Sequence, residues 1–416
     1  MFNLKAIVGA SLWLISSLWL FYTTLPLFHN TSIFFNFFLH DVMSIFIILT
    51  TSITLIVSLS IADNKYFIKT PYLFLLFFIF IFIIFGLVQA NNMVSFFVFY
   101  ELLLVPSFIL VRKSSPNRRS EPTSNYFLLW TQLGSFLVLI GIFLYTHKTT
   151  SLYFFFNNFL LYNAVIQILI FFGFGVKVPL WPFHFWLSKT HVEANTGFSI
   201  FLSGILVKAA VFGLYKFSFI FNCNIWFFIT VIFISVIDGS LKMCVQVDLK
   251  KLVAFSTIQE MAFMSTLFAT YNLLSYQILF AFIIFHTLIS SIFFLIVDFL
   301  YRRYNTRVSY NVTGACNIFP NLSFLNVISV YLFVGIPLTI KFSIEVFLIK
   351  IFLNFHPLLL TVIAVFANYL SILFFFKTFI LINFGNVPSL LGTDITKKEV
   401  LLLLTPMIFI VLINFV

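Results

Sequence analysis

Residues 171–217 read FFGFGVKVPLWPFHFWLSKTHVEANTGFSIFLSGILVKAAVFGLYKF. Two apolar runs flank a more polar segment, and each run carries a lysine, Lys177 in the first and Lys208 in the second. An ionisable group at bilayer depth costs roughly 2.5–3.5 kcal/mol on insertion scales, so it usually faces the interior of a helix bundle. The stretch therefore predicts two membrane-spanning helices that carry buried, functional cations.

The composition extends this pattern to the whole chain. Of 416 residues, 62% are hydrophobic and 8% are charged, and the mean hydropathy is +1.12. Such a balance excludes a soluble domain and predicts an all-α polytopic membrane protein. With about 20 apolar residues per span, about thirteen helices fit the chain, near residues 5–26, 39–60, 71–90, 92–112, 124–145, 161–180, 196–217, 225–245, 251–270, 273–300, 322–351, 356–385 and 398–416.

Loop charges give these predicted helices an orientation. When the chain is threaded alternately through the membrane, most loop Lys and Arg residues fall on one side, and the exceptions are Lys148, Lys216 and Lys350. This asymmetry predicts that the N-terminus and the 112–121 loop face the matrix or cytoplasm and that Val416 lies opposite. The first apolar run has no small-residue cleavage site, so we expect a retained span rather than a signal peptide.

Charge and cysteine usage exclude several kinds of partner and cofactor. The net charge is +11, but the Lys and Arg residues are scattered through short loops without a basic tail, which argues against nucleic acid. The three cysteines, Cys223, Cys244 and Cys316, are widely spaced, so neither a disulfide framework, a zinc site nor an iron–sulfur cluster is predicted. A metal set of His184, His191 and Glu193 is disfavoured, because these residues lie in an interfacial loop. We expect no cofactor and no metal in this chain.

Three more charged residues, Glu101, Glu260 and Glu345, lie within predicted spans, and two spans carry a mid-helix proline, Pro179 and Pro337. A proline removes a backbone hydrogen bond and breaks the helix. Broken helices at matching positions are typical of inverted repeats around a central ion site. The sequence therefore predicts two inverted five-helix repeats, 71–217 and 225–385, flanked by N-terminal helices in 1–70 and a C-terminal helix in 386–416.

Several motifs carry a family resemblance. FYELLLVPSFIL at 99–110, GVKVPLWPFHFWLSKTHVEA at 175–194 and VDLKKLVAFSTIQEMAFM at 247–264 closely resemble the antiporter-like subunits of respiratory complex I. The resemblance runs from about residue 95 to 350. It implies a proton channel of the mitochondrial inner membrane, without redox chemistry of its own, driven by quinone reduction elsewhere in the complex. The family has fourteen helices, so this chain is expected to lack the first one.

The same resemblance implies partners and roles. The partners would be other membrane-arm subunits, including neighbouring antiporter-like subunits, and membrane lipids. In the family pattern Glu101 pairs with Lys177, Lys208 is the central relay, His286 continues the row and Glu345 is the terminal acid. We therefore expect Glu101 and Lys177 within ion-pair or single-water distance, and Lys208 without a direct carboxylate partner.

Glu260 departs from the family pattern. The family usually has histidine in the corresponding Ser-x-x-x-His-Met stretch, whereas this chain has Glu260 before Met261. A carboxylate in a dry place must be protonated or find a cation, and Lys208 is the best candidate. We therefore expect Glu260 to face the bundle interior between Lys208 and His286, within one or two waters of either, and to titrate in place of the histidine. The alternative is that Glu260 caps a loop or faces a basic residue of a neighbouring subunit.

Other interpretations stay open at this point. Glu101 and Lys177 could form a purely structural ion pair, and His286 could be a hydrogen-bonded core histidine. Lys341 lies one turn before Glu345, so these two could neutralise each other. A stand-alone Na⁺/H⁺ antiporter would use the same fold. A haem-bearing quinol cytochrome would need paired intramembrane histidines, and only His286 lies clearly in mid-span.

Overall fold

The computed structural model describes residues 72–113, 120–149, 164–221, 225–267, 273–337, 339–355, 358–385 and 393–413. Within these ranges the chain is helical, apart from connecting turns and isolated bridges such as the antiparallel one between Asp248 and Val308. The predictions for 1–70, including the first two spans and the face of the N-terminus, lie outside the described residues, as does the side on which Val416 lies.

The helices are α1 Tyr72–Gln89, α2 Met93–Leu102, α3 Leu104–Arg112, α4 Ser120–Thr149, α5 Ala164–Lys177, α6 Phe185–Glu193, α7 Thr196–Lys216, α8 Ile225–Val245, α9 Leu249–Thr266, α10 Leu273–Tyr304, α11 Pro320–Val334, α12 Ile340–Phe355, α13 Leu358–Phe384 and α14 Lys397–Ile413. Single turns of helix lie at Ser218–Ile220, Ser309–Asn311 and Ala315–Ile318. In the described part, six spans are long and apolar enough to cross a membrane, and the prediction of an all-α polytopic membrane protein is confirmed. The division into two inverted repeats stays a prediction.

Two helices form the centre of the bundle. Every residue in the apolar window of α7 is buried, and 94% of that of α10, against 28% for α13. A helix that is apolar on all sides packs in an interior rather than at a surface. The polar side chains of α7 and α10 are therefore shielded from lipid by the helices around them.

Both predicted proline breaks are present. After Lys177, the last residue of α5, the chain makes turns through Pro179 before α6 begins. The backbone groups opened by the break find new partners, because the indole nitrogen of Trp186 donates to the carbonyl of Val176 at 2.7 Å and the amide of Trp181 donates to the Ser235 hydroxyl at 2.8 Å. These bonds satisfy backbone N–H and C=O groups for which lipid offers no hydrogen-bond partner.

The second break separates α11 from α12, which the sequence had placed in one window, 322–351. Gly335 ends α11 in the left-handed conformation, with φ of 78°, and Pro337 follows. A glycine adopts this conformation without the steric penalty of a side chain. The chain restarts as α12 at Ile340, so Lys341 lies in the first turn of a new helix inside the bundle.

Helices α4 and α5 pack with their backbones almost in contact. A Cβ atom added to Gly173 would lie 2.8 Å from the amide nitrogen of Val138 and 2.9 Å from the carbonyl oxygen of Gly134. A Cβ added to Gly141 would lie 2.6 Å from Ile170 Cγ1. Small residues permit such close approach in membrane helix pairs. This contact fixes α5, and with it Lys177, against α4.

Basic side chains gather where α6 ends. The Lys250 ammonium donates to the carbonyl of Ala194, and the Arg307 guanidinium donates to that of Val192 at 3.0 Å. Cations at the C-terminal end of a helix complement its dipole and its unpaired carbonyls. The positions of Lys250 and Arg307 agree with the predicted basic side of the membrane.

Candidate functional site

Lys208 lies at the centre of the bundle, on α7. Its ammonium is hydrogen bonded to the carbonyl oxygen of Ser203 and lies 2.7 Å from His286 Nδ1 on α10. Both side chains are buried, and Lys208 forms no ion pair with a carboxylate among the described residues. The expectation that Lys208 lacks a direct acidic partner is confirmed.

The helix before Lys208 is widened. Leu202–Leu206 forms a π-helical segment, in which the amide of Val207 donates to the carbonyl of Leu202, five residues earlier. Such segments occur often at functional sites, because they shift the hydrogen-bond register. Here the carbonyl of Ser203 accepts the Lys208 ammonium, so the cation is solvated by the backbone of its own helix.

Lys177 contacts an aromatic ring rather than the predicted acid. Its ammonium lies 3.5 Å from the centroid of the Tyr100 ring and 3.5 Å from the Tyr100 carbonyl oxygen. A cation over an aromatic face is stabilised by the ring quadrupole. Glu101 attracts Lys177 electrostatically, but no direct ion pair joins them, and Glu101 Oε1 is buried without a hydrogen-bond partner in the described part of the chain.

Helix geometry explains why Tyr100, and not Glu101, contacts Lys177. Successive residues of an α-helix point about 100° apart, so the face of α2 that presents Tyr100 to α5 turns Glu101 away from it. The direct form of the predicted Glu101–Lys177 pair is therefore wrong for this conformation, while the two charges remain neighbours. A small cavity of about 10 Å³ adjoins Lys177 and reaches Leu206 of α7. A cavity of this size just admits one water.

Glu260 is buried, but its partner differs from the prediction. Its carboxylate forms an ion pair and hydrogen bond with Lys341 of α12, not with Lys208. The expectation that Lys208 would be its cation is wrong, because the break at Pro337 brings Lys341 into the core beside α9. Lys208 still feels the Glu260 charge without touching it.

Glu345 lies beside the same lysine. Its Oε1 is 3.6 Å from the Lys341 ammonium and accepts a hydrogen bond from Asn368 Nδ2 at 3.1 Å. Lys341, Glu345 and Asn368 line a cavity of about 140 Å³, which is large enough for several waters. The sequence indicates Lys341 only as a possible counter-ion of Glu345. It gives no signal for Asn368, since no local pattern links positions on separate helices.

These contacts form a row across the bundle. Lys177 lies at one end, Lys208 and His286 touch in the middle, and Lys341 with its two acids lies at the other end. The His286 ring is electrostatically coupled to both Lys208 and Lys341. Groups that exchange protons and feel one another's charge can pass a proton along such a row.

The loop histidines lie away from this row. His184 is 3.1 Å from Asp238 and adjoins the Lys242 ammonium; burial and that ammonium lower the pKa of His184 to about 4, against the opposing effect of Asp238. His191 stacks on Phe294 at 4.8 Å between ring centroids. In the part of the chain that the structure describes, no three His, Cys, Asp or Glu side chains are grouped to hold a metal ion.

Comparisons with known proteins agree on one family. Residues 90–371 match the family described as NADH:quinone oxidoreductase/Mrp antiporter, TM. NADH-ubiquinone oxidoreductase chain 4 of Paramecium tetraurelia is 35% identical over 383 residues, covering 89% of this chain and 80% of that protein. The chain 4 protein of Rhipicephalus sanguineus is 31% identical, covering 88% and 84%.

Two solved structures share the fold. The Mrp complex from Dietzia sp. DQ12-45-1b matches with a TM-score of 0.79 and 17% identity, covering 90% of this chain and 80% of that chain. Respiratory complex I from Thermus thermophilus matches with a TM-score of 0.76 and 17% identity, covering 89% and 83%.

Proposed function

The chain belongs to the NADH:quinone oxidoreductase/Mrp antiporter membrane family, and from that premise we propose that it translocates protons as a membrane-arm subunit of a respiratory NADH:ubiquinone oxidoreductase. Five relatives at 28–35% identity carry the name NADH-ubiquinone oxidoreductase chain 4. Electron transfer belongs to other subunits, and this chain supplies the path for protons.

The observation that carries the proposal is the contact between Lys208 and His286, 2.7 Å apart in the core. A lysine in contact with an imidazole has a neutral acceptor to which it can give its proton. Nδ1 of His286 accepts from the Lys208 ammonium when that nitrogen is unprotonated. The pair therefore suits proton transfer better than structural support.

The rest of the row supplies entry and exit. A water beside Lys177 can bridge toward α7, because the small cavity there runs from Lys177 to Leu206. At the other end, Glu345 adjoins the larger cavity, where waters can take up a released proton. The proton then passes from Lys177 to Lys208 and His286, and on to Glu260 and Glu345. Glu101 adjusts the electrostatic potential at Lys177.

Charge switching along the row is of a useful size. Moving one charge against the membrane potential takes about 2.3 kcal/mol per 100 mV. A change of one pKa unit corresponds to about 1.4 kcal/mol. A switch that changes the proton affinity of one group by about two units therefore matches the work of moving a proton across 100 mV.

We assign the chain to the mitochondrial inner membrane, with the other membrane-arm subunits as partners, because relatives at 35% and 31% identity are chain 4 proteins of NADH-ubiquinone oxidoreductase. A stand-alone antiporter shares the fold, as the Mrp likeness illustrates, but at 17% identity. Purification of the native assembly separates the two. Flavin and iron–sulfur subunits that remain bound through purification support the proposal, and their absence from a stable, active assembly contradicts it.

The decisive variant is Lys208→Arg in the assembled complex. Arginine keeps the positive charge but does not release its proton in proteins, so proton translocation by reconstituted vesicles should be lost while the complex assembles. The matched control is Lys216→Arg on the same helix. Lys216 is buried too, but it donates to backbone carbonyls of Val88 and Ala90, which arginine can also do.

Lys208→Met serves as a second variant, because it removes the charge with little change in length. Assembly is followed on native gels, and NADH oxidation by an artificial acceptor checks the redox subunits. The proposal predicts normal assembly with lost proton translocation in both Lys208 variants and retained translocation in Lys216→Arg. Translocation at the wild-type level in both Lys208 variants would contradict it.

A further inference from the structure

Lys341 lies between two carboxylates. Its ammonium contacts Glu260 directly, and Glu345 Oε1 is 3.6 Å away. A charge-assisted N–H···O bond has a length of about 2.7–2.9 Å, so a shift of less than about 1 Å would exchange one partner for the other.

The two acids have different surroundings. The Glu260 side chain is 4% exposed, and its second oxygen, Oε2, has no hydrogen-bond partner among the residues that the structure describes. The Glu345 side chain is 21% exposed, is held by Asn368 and lines the cavity of about 140 Å³. Glu260 therefore faces the dry row, and Glu345 faces the space that waters can occupy.

The hydrocarbon part of the Lys341 side chain is held in place, while its ammonium lies within reach of two carboxylates. A Cβ on Gly335 would lie 2.9 Å from Lys341 Cγ, so the stem packs against the backbone at the helix break. The ammonium lies 4.9 Å from the Phe333 ring centroid and 5.7 Å from those of Phe282 and Phe285. These rings leave the two carboxylates as the polar groups that compete for it.

Neutrality sets the proton count of the cluster. A buried, unpaired charge is strongly destabilising, so one ammonium and two carboxyl groups are most stable when one of the two acids carries a proton. The position of Lys341 then decides which acid is protonated, because the partner of the ammonium is the ionised one.

We propose that Lys341 is a further proton-transfer residue, whose ammonium alternates between Glu260 and Glu345 and passes protons between the row and the cavity that Glu345 lines. The inference rests on the proposed function and adds a residue to it. Lys341 takes a position that the family pattern of the sequence analysis does not include.

The cycle balances. With Lys341 on ionised Glu260, protonated Glu345 releases its proton to cavity water, and the ammonium moves to Glu345. Glu260, left without its cation, takes a proton from the His286 side of the row. Lys341 then donates one proton to Glu345 and accepts the proton of Glu260, which restores the first state. One proton has crossed from the row to the cavity, and the reversed steps carry one back.

The test is made in the assembled complex and distinguishes a Lys341 that exchanges partners (a switch) from a Lys341 that only stabilises the fold. Glu345→Gln removes the second acceptor and leaves the Glu260–Lys341 pair intact. The double variant Glu260→Gln/Lys341→Met removes both charges together, a change that is often neutral for stability when an ion pair only supports the fold. Lys350→Gln is the matched control, since Lys350 is an exposed lysine on the same helix.

Proton translocation per NADH oxidised is measured in vesicles, with native gels and thermal unfolding as readouts of structure. A switch predicts wild-type assembly with lost translocation in both Glu345→Gln and the double variant, and wild-type translocation in Lys350→Gln. Infrared difference spectra under turnover should also lose the carbonyl band of a protonated carboxylic acid in Glu345→Gln. Translocation at the wild-type level in Glu345→Gln and in the double variant would overturn the proposal.

The Lys208 variants keep this result separate from the proposed function. If Lys208→Arg and Lys208→Met block translocation while the Lys341 set does not, only the switch is wrong. If neither set affects translocation, the proposed function fails as well.

Discussion

The contact between α4 and α5 gives a quantitative prediction for Gly173→Ala. The new methyl group would meet the Val138 amide nitrogen at 2.8 Å and the Gly134 carbonyl oxygen at 2.9 Å, whereas ordinary contacts begin at 3.4 Å. The nearest atom is Val138 Cγ2, at 2.6 Å, and the other two are backbone atoms, which cannot rotate away. Helix α5 must therefore move from α4 by roughly half an ångström, a kind of overpacking that typically costs about 1–3 kcal/mol.

Gly175→Ala provides the matched control. Gly175 lies in the same helix, and its added Cβ would be 3.4 Å from the flexible Leu180 side chain, an ordinary contact. Replacing glycine by alanine raises helix propensity by about 1 kcal/mol, and this gain is common to both variants. The difference between them therefore isolates the packing cost, which we expect to be about 1–3 kcal/mol.

Thermal unfolding of the complex in detergent measures the stability difference, and proton translocation in vesicles measures its effect on function. Lys177 lies one turn after Gly173, so displacement of α5 should also weaken translocation in Gly173→Ala but not in Gly175→Ala. Equal unfolding midpoints and equal translocation in the two variants would refute the reasoning about this contact.

Three further outcomes follow from other contacts. Because the pKa of His184 is lowered to about 4 in the fold, below about 6.5 in an unfolded chain, its stabilising effect is complete above about pH 6.5 and is lost as the pH falls toward 4. Acidification from about pH 7 to pH 5 should therefore lower the unfolding midpoint more in the wild type than in His184→Gln, and an equal drop would contradict the assignment. Lys216→Met leaves the carbonyls of Val88 and Ala90 without their donor, so we expect a loss of about 1–3 kcal/mol in thermal stability, which Lys216→Arg should largely avoid. Gly335→Ala places a side chain at φ of 78° and 2.9 Å from Lys341 Cγ, so stability should fall by at least about 1 kcal/mol together with proton translocation; unchanged values would show that Lys341 does not depend on this glycine.

The fold was largely predictable because a bilayer constrains sequence strongly. In the described residues from 72 onward, each predicted window falls on observed helices, and α8 begins and ends at the predicted residues 225 and 245. Two windows divide: 92–112 into α2 and α3 at Leu103, and 322–351 into α11 and α12 at the break that Gly335 and Pro337 produce. Hydropathy cannot show such a break, since the residues on both sides of it are equally apolar.

The candidate site was predictable in its members but not in its pairs. Burial of Lys177, Lys208 and Glu260 follows from charge placed within apolar runs, and the structure buries all three. The choice of partner depends on helix rotation, which a single sequence does not specify. Tyr100 rather than Glu101 therefore faces Lys177, and Lys341, 81 positions from Glu260, takes the place expected of Lys208.

The π-helical segment Leu202–Leu206 accommodates one additional residue in the helix before Lys208. A π turn contains one residue more than the α turn it replaces, so this helix behaves as though a single residue had been inserted before its lysine. A residue added to a helix that stayed α-helical throughout would rotate everything after it by about 100° and point the lysine at a different helix. The π turn instead absorbs the extra residue within one turn, so the chain carries one residue more before Lys208 and Lys208 still faces His286.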